Sequence, residues 1–288
     1  MFTRQNKSVK ASNQFIWFKK WVLHRQTIAQ LSTESKYSIR TLKTQFHQYL
    51  SKPPVLSIYP SDYLYLLVDG TYFSKDICLI VYRDSQIKFT QLYRLSDGEH
   101  YAEIKEDLEN LLQLGVKIKS ITCDGHKVIL KAIKHSCKEV IVQRCLVHIQ
   151  RECRLWLTAH PKTIEGLSLL HIVHQLHLID NQTQYQDWLK QLYHWYELHK
   201  EYVNEKSMSA LSQRFWYKHK MVRKAFIHIK NALPNMFNYL QDDKIPKSTN
   251  GLESFFGHLK NHVLLHRGLT KTHRKNFIKW YLYFKNGN

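Results

Sequence analysis

Residues 63–73 read YLYLLVDGTYF, an apolar and aromatic run that meets a carboxylate at Asp69 and a glycine at Gly70. The run reads as a buried strand that stops at Asp69 and turns on Gly70. A carboxylate placed where a buried strand leaves a sheet is a natural ligand for a hard cation. The same device recurs at 118–125, IKSITCDG, where a second strand pattern ends in Asp124 before Gly125. Asp-Gly is also an ordinary turn signal, so either aspartate alone reads as a turn cap. Two of them at matching strand ends read as half of a cation site.

Working outward, Tyr63–Asp69, Ile77–Arg83 and Ile87–Tyr93 give three strand patterns joined by short turns. Ser96–Leu114 changes period. It predicts a helix with Tyr101, Ile104, Leu108, Leu111 and Leu112 on one face and Gly115 closing it. A strand at Ile118–Cys123, a helix at His126–His135 and a strand at Glu139–Gln143 follow. The order β-β-β-α-β-α-β matches the ribonuclease H-like mixed sheet, an α/β fold in which the first and fourth strands are neighbours. Asp69 and Asp124 would then share one edge, where ligands of open α/β sheets gather. An acidic pair there repels itself without a cation, so Mg²⁺ is implied.

Ahead of the sheet, Phe15, Ile16, Phe18, Trp21, Val22 and Leu23 recur at helical spacing between Asn13 and His24. TIAQLSTESKYSIRTLKTQFHQYL, residues 27–50, reads as a helix from Thr27, a turn over Thr33–Tyr37 and a helix capped by Ser38. This is helix-turn-helix grammar, with Lys36 where the turn usually prefers glycine. Ile28, Leu31, Ile39, Leu42 and Phe46 would form its core. Arg40, Lys43, Thr44 and His47 would face DNA. Lys52-Pro53-Pro54 breaks the helix and marks a linker.

Beyond Cys145 the pattern is helical for about a hundred residues, with aromatics among Lys, Arg and His. Trp188, Trp195 and Trp216 suit either a helical core or stacking on unpaired bases, for which Trp195 and Trp216 are the candidates. At 247–269, KSTNGLESFFGHLKNHVLLHRGL, Asn250 precedes a helix, with Glu253 three positions on. A capping box has this form. The same glutamate would also serve as a third carboxylate, with His258, Lys260, His262, His266 and Arg267 available to phosphates.

The 288 residues carry 43 Lys and Arg against 23 Asp and Glu, a net charge of +20. The excess runs the length of the chain and favours a polyanionic partner, most simply nucleic acid. Five cysteines at irregular spacing imply reduced thiols and no disulfide framework. No run of about 18 uncharged apolar residues occurs and the amino terminus is polar and basic, so a soluble cytoplasmic protein is expected and no membrane partner.

DGT at 69–71, CDG at 123–125, QRCLVH at 143–148 and TNGLESFFGHLK at 249–260 together resemble the mutator-class DDE transposases of bacterial insertion sequences, members of the ribonuclease H-like superfamily. The resemblance runs from about Trp17 to the carboxyl terminus. It implies that Asp69, Asp124 and Glu253 are catalytic and bind two Mg²⁺ ions, with Mn²⁺ able to substitute. Cys145, His148 and Asn250 would be accessory to the active site. Zinc is not expected, because Cys145, His148, Cys153 and His160 match no familiar four-ligand spacing. The implied organisation is an amino-terminal tail and helix-turn-helix over 1–56, a first catalytic segment over 57–150, a helical insertion over 151–246 and completing helices over 247–288. The implied reactions are DNA cleavage and strand transfer at terminal inverted repeats by a homodimer or larger assembly, in the bacterial cytoplasm and on the nucleoid when bound to DNA. An inactive or domesticated copy acting as a DNA-binding regulator is the alternative.

Overall fold

The strand around Asp69 does not stop there. In the computed structural model, which describes residues 14–59, 63–208 and 213–287, β1 runs Leu64–Ser74 and passes through Asp69 and Gly70. Its pairing with the fourth strand ends at Val68, opposite Cys123. A second neighbour lets the backbone continue. The sheet order is β3-β2-β1-β4-β5, with β2 at Ile77–Asp84, β3 at Thr90–Ser96, β4 at Ile118–Cys123 and β5 at Ile141–Arg144. The turn falls instead at residues 75–76, where Ser74 Oγ donates to Asp76 Oδ1 at 2.7 Å and Lys271 pairs with Asp76. Gly70 has a different use. A Cβ there would lie 2.2 Å from Glu99 Oε1, so the glycine makes room for that carboxylate.

The described residues fall into two compact units. One lies within Met1–Ser61, Gly70–His100 and Gly251–Asn288, the other within Asp62–Asp69 and Tyr101–Asn250.

In the first unit, α1 (residues 14–23), α2 (Ile28–Ser35) and α3 (Ile39–Ser51) are followed by the β2–β3 hairpin, α10 (Asn250–Leu265, from Gly251 on) and α11 (Lys271–Lys285). Residue 13, where the first helix was expected to begin, lies outside the described residues. The expected caps form. Thr27 and Gln30 make a capping box, and Ser38 Oγ accepts from the Thr41 N–H at 3.1 Å. Lys36 takes the left-handed conformation, φ 61°, that glycine would have filled. Leu31, Leu42 and Phe46 are buried, whereas Ile39 is exposed at the first position of α3.

These helices do not close a core by themselves. Trp21 stacks on Phe46 at 4.9 Å and meets Phe277 edge-on at 5.2 Å. Asn276 Nδ2 donates to Leu50 O at 2.7 Å and Trp280 Nε1 to Tyr49 O at 2.9 Å. Side-chain groups that satisfy the last carbonyls of α3 tie α11 to it. The third strand starts at Thr90 and not at Ile87, which is exposed, because Asp84 Oδ1 caps the hairpin turn through the Gln86 N–H at 2.8 Å.

In the second unit, β1 up to Asp69, β4 and β5 are parallel, with α4 (Tyr101–Gln113) and α5 (Lys127–Ser136) as crossovers. Gly115 closes α4 at φ 81°, and Leu112 is exposed. The helical stretch contains α6 (Leu146–Leu157), α7 (Ile164–His174), α8 (Gln182–Asn204) and α9 (Lys220–Ala232). Ile149, Cys153, Leu169, Trp188, Trp195 and Phe226 belong to its core. The expected run of helix between α8 and α9 is interrupted by a hairpin, β6 (Lys206–Met208) with β7 (Phe215–Tyr217). Its connecting residues 209–212 lie outside the described residues. Aromatic residues favour a strand here, and Arg223 closes over Tyr217 at 3.8 Å.

One buried histidine makes the first unit sensitive to acid. Burial beside Trp21 and Phe277 pushes His266 down to about 4. Because this lies below the ordinary imidazole value of about 6.5, neutral His266 contributes stability above that pH. The contribution is lost as pH falls through about 4. Urea midpoints of the intact chain should therefore drop over this interval, and His266→Asn should flatten the drop. An unchanged pH profile in the variant would assign the acid sensitivity to other groups.

Candidate functional site

The pairing of Val68 with Cys123 decides the geometry. The next residue on each of these parallel strands is a carboxylate, so Asp69 and Asp124 stand at the same edge of adjacent strands. Asp69 is 7% exposed, and Asp124 is partly exposed. Asp124 Oδ1 accepts from the His126 N–H at 2.7 Å, while Gly125 takes φ 87°. The turn-cap reading therefore holds for one oxygen of Asp124. Across Gly125 lies the guanidinium of Arg144, the last residue of β5, so close that a Cβ would fall 1.8 Å from its Nε. Arg144 is 7% exposed, and its Nε is buried without a hydrogen-bond partner.

The next residue builds the floor of the site. The Cys145 N–H donates to Cys123 O at 2.8 Å, and Cys145 is the N-cap of α6. Its Sγ accepts from the Thr249 N–H at 3.3 Å and from Thr249 Oγ1 at 3.4 Å. Thr249 Oγ1 also lies 3.4 Å from His148 Nδ1, one turn along α6. Burial opposes ionisation of the Cys145 thiol, but hydrogen bonds with His148 and Thr249 outweigh it and hold the thiol below its ordinary value. Burial would lower His148. The Cys145 sulfur and the charge of Asp69 raise it above the ordinary imidazole value, against the field of Arg151. Lys247 O accepts from the Leu146 N–H at 3.0 Å, so residues 247–249 are fastened along the first turn of α6.

Asn250 begins α10 and is not the residue before it; it is exposed, and its N–H donates to Ser248 Oγ at 3.4 Å. Glu253 stands in the first turn of α10 and is partly buried. It belongs to the first compact unit, whereas Asp69, Asp124, Cys145 and His148 belong to the second. Among the described residues no group of three or more His, Cys, Asp or Glu is assembled to hold a metal ion. Asp69 and Asp124 supply the hard oxygen donors that Mg²⁺ takes. Cys153 offers no thiolate, since burial in the helical core pushes its thiol up to about 12.

The residues expected to meet DNA divide. Arg40, Lys43, Thr44 and His47 are all exposed on α3. Lys43 and His47 line a cavity of about 410 Å³ together with Arg267, although the motifs that carry them lie far apart in sequence. His258 is exposed and Lys260 partly so. His262 and His266 are not available to phosphates. Both are buried, and the ring nitrogens of His262 lie 2.7 Å from His258 O and 2.9 Å from Leu23 O. Trp195 is no stacking platform either; it is buried and donates to Ser168 Oγ at 2.9 Å. Trp216 is half-exposed on β7.

Compared with known protein families, residues 21–255 match the Transposase IS66 family. The chain belongs to the IS66 family of transposases. The matched segment contains Asp69, Asp124, Cys145, His148 and Glu253. No curated protein matches the chain. Among the described residues no helix is long and apolar enough to cross a membrane.

Two residues of this IS66-family transposase carry more of the site than their motifs suggested. Thr249 stands beside the Asn250 that drew attention, and its burial is the signal. Arg144 adjoins Cys145 and is read only once β5 is registered against β4, where it pairs with Cys123.

Gly125→Ala should be disruptive. A left-handed alanine costs about 1–2 kcal/mol, and its methyl would displace Arg144. Urea denaturation should show a larger loss than that, and Arg144→Ala in the same chain should be less than additive with it. Strict additivity would show that Arg144 does not occupy the space over Gly125.

Proposed function

We propose that this transposase cleaves DNA at the ends of its insertion sequence and joins the freed 3′ ends to target DNA. Phosphodiester hydrolysis comes first and transesterification second. Asp69, Asp124 and Glu253 are the carboxylates that carry it. They would hold two Mg²⁺ ions, and Mn²⁺ would substitute. When bound, the ions supply Lewis-acid activation of water or of a DNA 3′-hydroxyl and stabilise charge at the leaving oxygen. The single observation behind this assignment is the parallel register that ends in two adjacent carboxylates.

The chain's own residues contribute position and charge. Asp69 stands in β1, an interior strand of the sheet, one residue past the end of its pairing with β4. Cys145 and His148 hold Thr249 beside the start of α6. In this proposal the sheet is ribonuclease H-like, which agrees with strand order 3-2-1-4-5, and kinship extends to the mutator class. The alternative, a regulator without chemistry, would not require three carboxylates in these motifs.

Binding of the terminal inverted repeats is assigned to α2 and α3 as a helix-turn-helix. Arg40, Lys43, Thr44 and His47 face outward there, and Arg267 adds charge to the same cavity. Trp216 stacks on an unpaired base at the processed end. Two ends must be brought together, so the working form is a homodimer or larger.

Asp69→Asn, Asp124→Asn and Glu253→Gln should each lower Mg²⁺-dependent cleavage of end-containing duplex by ~10³-fold or more, the several kcal/mol a metal contributes. Their affinity for the duplex should stay within about twofold. Wild-type cleavage in all three would remove these carboxylates from the mechanism, and binding by the wild-type chain without cleavage would make it a regulator.

Charge reversal at Arg40 and Lys43 tests recognition separately. Binding to the end sequence should weaken, and the slope of log affinity against log salt should fall by about 1 for each phosphate that is no longer neutralised. Undiminished affinity and slope would place recognition elsewhere in the chain.

A further inference from the structure

The parallel strands of the second unit end at one edge, and Arg144 is the last residue of β5 there. Its guanidinium crosses to the end of β4 and lies over Gly125. A Cβ on that glycine would fall 1.8 Å from Nε, 1.9 Å from Cζ and 2.3 Å from Nη2. Only 7% of Arg144 is exposed, and its Nε has no hydrogen-bond partner. A guanidinium cannot shed a proton to ease its burial. Burial without an anion therefore costs free energy in the free protein. The acids of this part of the unit are turned to other groups. Asp124 Oδ1 accepts from the His126 N–H at 2.7 Å, and Glu152 Oε2 lies 2.9 Å from His228 Nε2.

The chain enters α5 at the same place. His126 is the N-cap of that helix and makes no side-chain cap hydrogen bond, and the first turn carries no acidic residue. A helix start keeps N–H groups that the helix itself cannot satisfy, and its dipole favours negative charge. The usual complement is a capping oxygen or an Asp or Glu in the first turn. Here Asp124 Oδ1 is spent on the N–H of the cap residue itself. Lys127, the first residue of α5, adds an exposed cation. A helix start and a nearly buried guanidinium, each of which calls for an anion, thus meet over Gly125.

We propose that Arg144 and the first turn of α5 hold one backbone phosphate of the DNA strand beside Asp124. The guanidinium donates to one phosphate oxygen, and the N–H groups of the helix start, with the Lys127 ammonium, meet the others. Guanidinium groups suit phosphate oxygens, and a helix start is a ready anion site. The contact fixes where the strand runs past Asp124 and takes no part in the bond-breaking itself. It also reads no sequence, since a phosphate is the same at every position. That the anion is a DNA phosphate rests on the transposase reading.

The test is phosphate neutralisation. Fluorescence anisotropy without divalent cations would measure how the full chain and its Arg144→Gln variant bind a set of end-containing duplexes, each with a single methylphosphonate at a different position. For the wild-type chain one position should lower affinity about tenfold, the size of a hydrogen bond to a charged group. In Arg144→Gln that position should matter by no more than about twofold, while every other position affects both proteins alike. Lys127→Gln, a change at an exposed residue, should weaken the effect of the same position and of no other. It decides the matter where Arg144→Gln fails to fold. Identical interference profiles in the wild type and the variants would overturn the phosphate site, and so would a wild-type profile with no sensitive position. Cleavage by that same wild-type chain would leave the transposase reading standing. The expected interference in a chain that never cleaves would keep the site and overturn that reading, and a chain that bound no duplex would overturn both.

Discussion

The parallel register between β1 and β4 is the constraint on which the site depends. Side chains alternate faces along a strand, so a slip of one residue would send Asp69 and Asp124 to opposite faces. Backbone pairing from Tyr65–Ser120 to Val68–Cys123 prevents it. The same edge then propagates outward. Cys123 O accepts the Cys145 N–H, Cys145 caps α6, and its sulfur receives Thr249. Hydrogen bonds thus relate the strand that ends before Asp124, a helix start and a distant chain segment.

Buried polar groups make this arrangement stiff. Cys145 and Thr249 are fully buried, where an unpartnered thiol or hydroxyl would cost free energy, and each answers the other. In the first unit the fixing is apolar. The Trp21, Phe46 and Phe277 rings interlock, and the amide of Asn276 and the indole N–H of Trp280 satisfy the end of α3. Helices at opposite ends of the sequence therefore share one core.

Local signals were legible in the sequence. Thr27 and Ser38 mark helix starts and Gly115 a helix end, because capping and left-handed backbone are decided within a few residues. The order of strands and helices up to β5 follows from hydrophobic period alone. Strand ends do not. Whether β1 stops at Asp69 depends on β2, which keeps a partner beside it after β4 has ended. The expected turn at Gly70 was a space kept for Glu99. Trp195 and Trp216 share a composition of aromatic and basic neighbours, yet one is sealed under α7 and the other is on a hairpin that helical periodicity concealed. His262 and His266 followed His258 as basic-looking positions. His262 on α10 and His266 just beyond its end are both buried, and no single-residue property separates them from His258.

Net charge by itself does not locate a partner, and pairing shows where the excess gathers. Glu34, Asp76, Glu205 and Asp180 are matched to Lys20, Lys271, Lys218 and Lys247, exposed pairs whose energetic value is small. Among the described residues these pairs join single acids to single lysines. Within the first unit other cations meet at the cavity of Lys43, His47 and Arg267. Within the second, Arg154, His174 and His177 line one cavity. A stability argument gives no reason to crowd like charges, which cost free energy in the isolated protein. Under the proposed function a polyanion reverses the sign of that cost at the cavity of Lys43, His47 and Arg267.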